Sequence, residues 1–72
     1  MKNLPEDLHP KIVLNLIMEE RKKAYFSESD PYFMEAFRKD ASGDLEGAEI
    51  ARKSALQKVT EIKARYPLLN NA

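Results

Sequence analysis

The chain has 72 residues, no cysteine and one histidine, which leaves room for one domain and excludes disulfides and thiolate or zinc sites. Its 12 basic residues balance its 12 acidic residues, so no net electrostatic field would draw it to nucleic acid or to an anionic membrane. The N-terminus lacks the apolar segment of a signal peptide, and no apolar run approaches the roughly 20 residues that span a bilayer. We therefore expect a cytoplasmic protein that does not associate with membranes.

The first predicted helix covers residues 10–26 and follows a lead-in at residues 1–9. Six aliphatic side chains surround most of its first half: Ile12, Val13, Leu14, Leu16, Ile17 and Met18. The remaining narrow stripe is polar and is formed at helical spacing by Lys11, Asn15, Glu19 and Lys22. A helix that is apolar on several sides needs neighbours on several sides. We therefore expect this half to be covered by more than one helix.

The second predicted helix covers residues 31–41 and follows a turn at residues 27–30. The turn is rich in serine and acidic residues, which favour turns and helix caps. Asp30 is placed to cap the helix, and Pro31 suits the first helical position. The sequence therefore predicts a break between the first two helices.

Aromatic residues cluster around this predicted turn. Phe33 and Phe37 share one face of the second helix, and they are predicted to lie in the core. Tyr25 and Tyr32 are the better candidates for contact with a partner, because tyrosine is enriched at interface cores. The cluster is thus expected to serve both packing and binding.

The third predicted helix covers residues 45–66 and is the longest. Gly43 can adopt the positive φ that ends the second helix, and Asp44 can cap the third. An apolar stripe follows at spacings of three and four, interrupted at Arg52, and contains Leu45, Ala48, Ala55, Val59, Ile62 and Tyr66. Pro67 ends the helix, and residues 67–72 are expected to form a loose tail.

These elements predict an all-α fold, a small bundle of about three helices. At a rise of 1.5 Å per residue the third helix would be about 30 Å long, which is longer than the second helix can cover. The first helix would cover part of it, and a second copy of the chain would cover the remainder. We therefore predict a homodimer with these candidate interface residues: Leu14, Ile17, Met18, Tyr25, Tyr32, Ala48, Ala55, Val59, Ile62 and Tyr66.

The sequence contains no recognisable catalytic or metal-binding combination. His9 is the only side chain whose unperturbed pKa lies near neutral pH, but at a predicted helix start it is expected to make a local backbone hydrogen bond or to face solvent. The alternating acids at residues 40–46 resemble the opening of a calcium-binding loop, yet Leu45 and Ala51 stand where that loop needs Gly and Glu. The prediction is therefore a protein without catalytic residues, metal ligands, cofactors or a small-molecule substrate.

A helical protein-interaction or assembly module, whose partner is a second copy or another protein, is the function that this pattern favours. The alternative is a small nucleic-acid-associated regulator that uses the basic end of the third helix. Its basic residues there would be Arg52, Lys53, Lys58, Lys63 and Arg65. Glu61 is spaced to pair with Arg65 on the outer side of that helix. Salt separates the two functions, because binding to phosphates weakens steeply with ionic strength and apolar association does not.

Residues 58–67 read Lys-Val-Thr-Glu-Ile-Lys-Ala-Arg-Tyr-Pro, and residues 30–33 read Asp-Pro-Tyr-Phe. Together these stretches resemble parts of short proteins encoded by phages and prophages, some of them near tail genes. The resemblance covers about a fifth of the chain. It implies a small accessory or assembly protein and assigns no catalytic residue.

Overall fold

The computed structural model describes residues 9–68, and all regular structure within that range is helical. The elements in chain order are α1 (Pro10–Ala24), a π-helical turn (Tyr25–Ser29), α2 (Asp30–Ala41) and α3 (Leu45–Arg65). The all-α fold predicted from the sequence is therefore confirmed. Residues 1–8 of the predicted lead-in and residues 69–72 of the predicted tail lie outside the described residues.

The predicted turn at residues 27–30 does not form, and the chain runs as one helical arm from Pro10 to Ala41. Within the π-helical turn the N–H of Asp30 donates to the carbonyl of Tyr25, five residues earlier. Asp30 has helical dihedral angles, and no side chain caps the start of α2. The prediction of two separate helices joined by a turn is wrong, as is the prediction of a cap at Asp30.

Pro31 explains why the hydrogen bonding changes at this point. A proline inside a helix offers no N–H to the carbonyl four residues earlier, here that of Ser27, and its ring crowds that carbonyl. One turn of wider, π-helical pairing lets the chain pass the proline without breaking the helix. The hydroxyl of Ser29 also donates backwards, to the carbonyl of Tyr25 at 3.3 Å. The hydroxyl of Ser27 donates in the same way to the carbonyl of Lys23 at 3.2 Å, so neither serine starts a new helix.

The residues Gly43 and Asp44 reverse the chain between α2 and α3. Gly43 has a φ of 89°, a left-handed conformation that glycine adopts without steric penalty. The Asp44 carboxylate accepts a hydrogen bond from the N–H of Gly47 at 2.9 Å and so caps α3. The N–H of Asp44 donates to the carbonyl of Lys39 at 2.8 Å and ties the turn to the end of α2. Both predicted roles are confirmed, and α2 and α3 form an antiparallel hairpin.

The molecule is elongated because α3 covers only part of the long arm. It measures 53 × 18 × 17 Å, and its radius of gyration is 16.3 Å, whereas a compact chain of this length would have about 11 Å. α3 packs along α2 and the π-helical turn but meets α1 only near Arg21. The described chain is therefore a two-helix hairpin from which α1 projects, rather than a three-helix bundle.

Small residues form most of the seam between the two arms. The buried apolar residues are Ala24, Ala36, Ala48, Ala51, Ala55 and Ile62. Alanine side chains let two helices approach closely, and Ile62 is the largest side chain that is fully buried. Phe33 and Phe37 are 37% and 69% exposed, so the prediction that they lie in the core is wrong. The reason is that Ala36 occupies the centre of the contact and the two rings lie on its flank.

Candidate functional site: the exposed apolar surface of α1

Among residues 9–68, no helix of the hairpin covers the apolar first half of α1. We define the α1 surface by its six aliphatic residues, Ile12, Val13, Leu14, Leu16, Ile17 and Met18. Four of them are 41–50% exposed, and Val13 and Ile17 are half-buried. Contiguous apolar patches on soluble monomers usually mark an interaction site. The α1 surface is therefore the leading candidate for a functional site.

Arg21 marks the point at which α3 stops covering α1. Its Nε donates to the carbonyl of Tyr66 at 2.8 Å, and its Nη2 lies 3.4 Å from the carbonyl of Lys63. These carbonyls belong to the last turn of α3, where no further helical N–H is available to them. A cation at this end also complements the helix dipole. Arg21 thus binds the last carbonyls of α3 and marks its end. The three turns of α1 before Arg21 have no neighbouring helix among residues 9–68.

Glu28 and Arg65 join the π-helical turn to the end of α3. Arg65 Nη1 and Nη2 donate to the two carboxylate oxygens of Glu28 at 2.7 and 2.9 Å, a bidentate arrangement. Hydrogen bonding from Arg65 holds the pKa of Glu28 below its ordinary value, and the same bonds raise the pKa of Arg65. The predicted pairing of Arg65 with Glu61 is not seen, because Glu61 instead contacts Lys58 at 3.6 Å.

We expect this pair to make the stability of the hairpin depend on acid pH. Because the pKa of Glu28 is lowered in the folded chain, the pair stabilises the fold above the ordinary carboxyl pKa, and this contribution is lost as the pH falls through the lowered value. Glu28→Gln removes the contribution, so its free energy of unfolding should fall less than that of the wild type on acidification. Urea unfolding at a series of pH values measures the difference. Glu35→Gln, which removes an exposed pair with Lys39, is the control and should keep the wild-type pH dependence; a wild-type slope in Glu28→Gln would contradict the expectation.

A groove runs between the long arm and α3 on the side opposite this ion pair. Its volume is about 730 Å³ and it is open to solvent; its lining residues include Lys22, Tyr25, Phe26, Phe33, Val59 and Lys63. The ring of Phe26 is 77% exposed. The groove therefore combines an aromatic floor with lysine side chains at one end.

The predicted interface residues separate into three groups. Leu14, Ile17 and Met18 belong to the α1 surface and are available to a partner. Ala48, Ala55 and Ile62 are 0% exposed in the seam of the hairpin, so a second copy cannot reach them without opening the fold. Their assignment to the interface is wrong, because the chain's own long arm covers this face of α3.

The four remaining predicted interface residues lie around the hairpin rather than on α1. Tyr25 and Val59 are half-buried in the groove, and Tyr32 is 37% exposed on α2. Tyr66 is half-buried at the end of α3, where its ring centroid lies 5.7 Å from the Arg65 guanidinium carbon. Three further exposed apolar residues were not among the predicted interface residues: Phe26, Ile50 and Leu56. Leu45, which the sequence places in the apolar stripe of α3, is also exposed.

His9 is engaged in the local structure of α1. Its Nδ1 accepts a hydrogen bond from the N–H of Lys11 at 2.9 Å and caps the helix, as expected from the sequence.

Among residues 9–68, no group of three or more His, Cys, Asp or Glu side chains is placed to hold a metal ion. Within the same range, no helix combines the length and apolar character required to cross a bilayer. Comparison of the chain with known protein families, with curated proteins and with solved structures gives no match.

Proposed function

We propose that the chain is a small helical protein-interaction module that assembles as a homodimer through the α1 surface. The observation that carries the proposal is the exposure of that surface, where four of six aliphatic side chains remain 41–50% exposed in a single copy. Burial of apolar area contributes about 25 cal/mol per Å², so a partner that covers α1 is favoured by the hydrophobic effect. The role is that of an accessory or assembly protein with no catalysis of its own.

A second copy is the partner that suits this surface best. The six side chains carry no charge, so a matching uncharged surface avoids the desolvation of polar groups. The chain as a whole has a net charge of zero, and two copies therefore do not repel each other. Pairing through the groove is less favourable, because it would bring Lys22 and Lys63 of one copy close to the same residues of the other.

The nucleic-acid alternative receives less support from the charges on α3. Arg52 lies 3.7 Å from Glu49, and Lys58 lies 3.6 Å from Glu61. Arg65 is held in its bidentate pair on the long arm. Carboxylates thus neutralise three of the five basic residues that the alternative would use, which lowers the positive charge offered to phosphate.

Sedimentation equilibrium at increasing concentration and at two ionic strengths tests the proposal. We expect the average mass to rise from monomer to dimer across the micromolar range, with no weakening of association at high salt, because apolar contacts are not screened. A chain that stays monomeric at high micromolar concentration would overturn it. Titration with a labelled oligonucleotide is the companion measurement, since tight binding that weakens steeply with salt would favour the alternative instead.

A further inference from the structure

The apolar side of α1 is continuous with the side on which α3 packs. Ala24 is buried at the end of α1, and Ile17 and Val13 lie two and three turns before it, so all three share one side of the helix. The polar stripe that contains Lys11 and Asn15 lies on the opposite side. A helix that continued the line of α3 past Arg21 would therefore cover the centre of the α1 surface.

A second copy can provide that helix in only one direction on this side of α1. In a parallel arrangement the partner's hairpin would lie beside this hairpin, and the partner's α1 would need the space that α3 already occupies next to Ala24. In an antiparallel arrangement the partner's α1 begins where α3 ends and runs away from it. The position of α3 therefore selects the antiparallel direction.

From these observations we infer that two copies pair through α1 in an antiparallel arrangement, with the twofold axis level with residue 15 and Val13 facing the partner's Ile17. The inference rests on the proposed function. In this register the partner's α1 starts opposite Glu20, one residue short of the Arg21 level at which the carbonyl of Tyr66 ends α3. A shift towards α3 would cause a collision with Tyr66, and a shift away from it would separate the facing apolar layers.

This register also keeps the polar side of α1 in water. Lys11, Asn15 and Glu19 lie away from the facing layers and keep their exposure. The contact is isologous, as in most homodimers, because each copy contributes the same two residues to the two equivalent layers. The existing pairs of Glu19 with Lys22 and of Glu20 with Lys23, each at 3.5 Å, do not need to open.

Single cysteines test the register, because the native chain has none. We would prepare V13C and I17C separately, mix them under reducing conditions, remove the reductant and identify disulfide-linked pairs by mass. A disulfide needs Cβ atoms about 3.5–4.5 Å apart, so the mixture should give at least about tenfold more linked pairs than either variant alone, almost all of them heterodimers. Alone, each variant would hold its two cysteines four residues apart along the axis, about 6 Å. N15C, on the polar side, is the matched control and should not link.

Four other outcomes of the linking and sedimentation experiments would contradict the inferred register. Efficient linking of V13C and I17C, each alone, would indicate a parallel pair in register. Linking of only one of them would indicate an antiparallel pair whose axis is level with that residue. Either result would overturn the inference while leaving the homodimer intact. A dimer that sediments normally but does not link in the mixture would overturn it as well, since the contact would then have another register or lie on another surface. A monomer under the same conditions would overturn both the register and the proposed function.

Discussion

We expect Ile62→Ala to lower the free energy of unfolding by about 2–5 kcal/mol, the usual loss when a large aliphatic side chain is removed from a packed core. Ile62 is 0% exposed and is the largest fully buried side chain. Apart from Ser29, the other buried residues are alanines, whose side chains have no rotamers that could move into the space. A core in a chain of this size supplies only about 3–5 kcal/mol, so the variant should be largely unfolded at moderate temperature.

Ile50→Ala is the matched control because it removes the same atoms from the same helix. Ile50 is 63% exposed, and substitutions at such positions usually change stability by no more than about 0.5 kcal/mol. Urea unfolding followed by far-ultraviolet circular dichroism measures both variants, at one protein concentration because self-association would add to the apparent stability. Equal losses in the two variants would show that the seam does not run through Ile62.

The reversal between α2 and α3 could be predicted from the sequence because its signals are local. The turn requires a positive φ at residue 43, which glycine adopts without strain, and Asp44 caps a helix that begins at the next residue. Each role depends on hydrogen bonds within one turn. Neither depends on what packs against the turn, which is why the short-range pattern was sufficient.

The passage through Pro31 could not be predicted in the same way. An Asp-Pro pair is compatible both with the start of a new helix and with a π-helical turn inside a continuous helix. Contacts with α3 favour the second outcome: Ser29 is fully buried, and Glu28 is held by Arg65 from the other arm. These partners are distant in sequence, so no local pattern shows them.

The same reasoning explains how much of the candidate site could be predicted. The aliphatic residues around the first helix can be identified from the sequence, and most of them are exposed in the structure. The division of α3 between core and surface is not visible, because it depends on how far α3 reaches along the long arm. Ala48 and Ile62 are buried inside the hairpin for this reason. Ile17 is not covered by α3, because α3 ends at its contact with Arg21, one turn further along α1.

We expect Ile17→Glu to abolish dimerisation at concentrations at which the wild type is a dimer. In the inferred register this carboxylate would face the partner's Val13 in an apolar layer. The nearest cation on its own helix is Arg21, one turn on, and its guanidinium is already bound by the carbonyls of Tyr66 and Lys63. An uncompensated charge in an interface costs about 2 kcal/mol or more, which corresponds to a rise of at least about 30-fold in the dissociation constant. Sedimentation equilibrium of the two proteins side by side measures the change.

Asn15→Glu is the matched control, since it adds the same charge to the same helix on its polar side. Its helical neighbours Lys11 and Glu19 have opposite charges, so their effects on the new carboxylate approximately cancel. The control should therefore dimerise as the wild type does, and both variants should keep the helical circular dichroism of the hairpin. Equal weakening by Ile17→Glu and Asn15→Glu would mean that added charge alone drives the copies apart, and the contact would then not lie on the apolar side of α1.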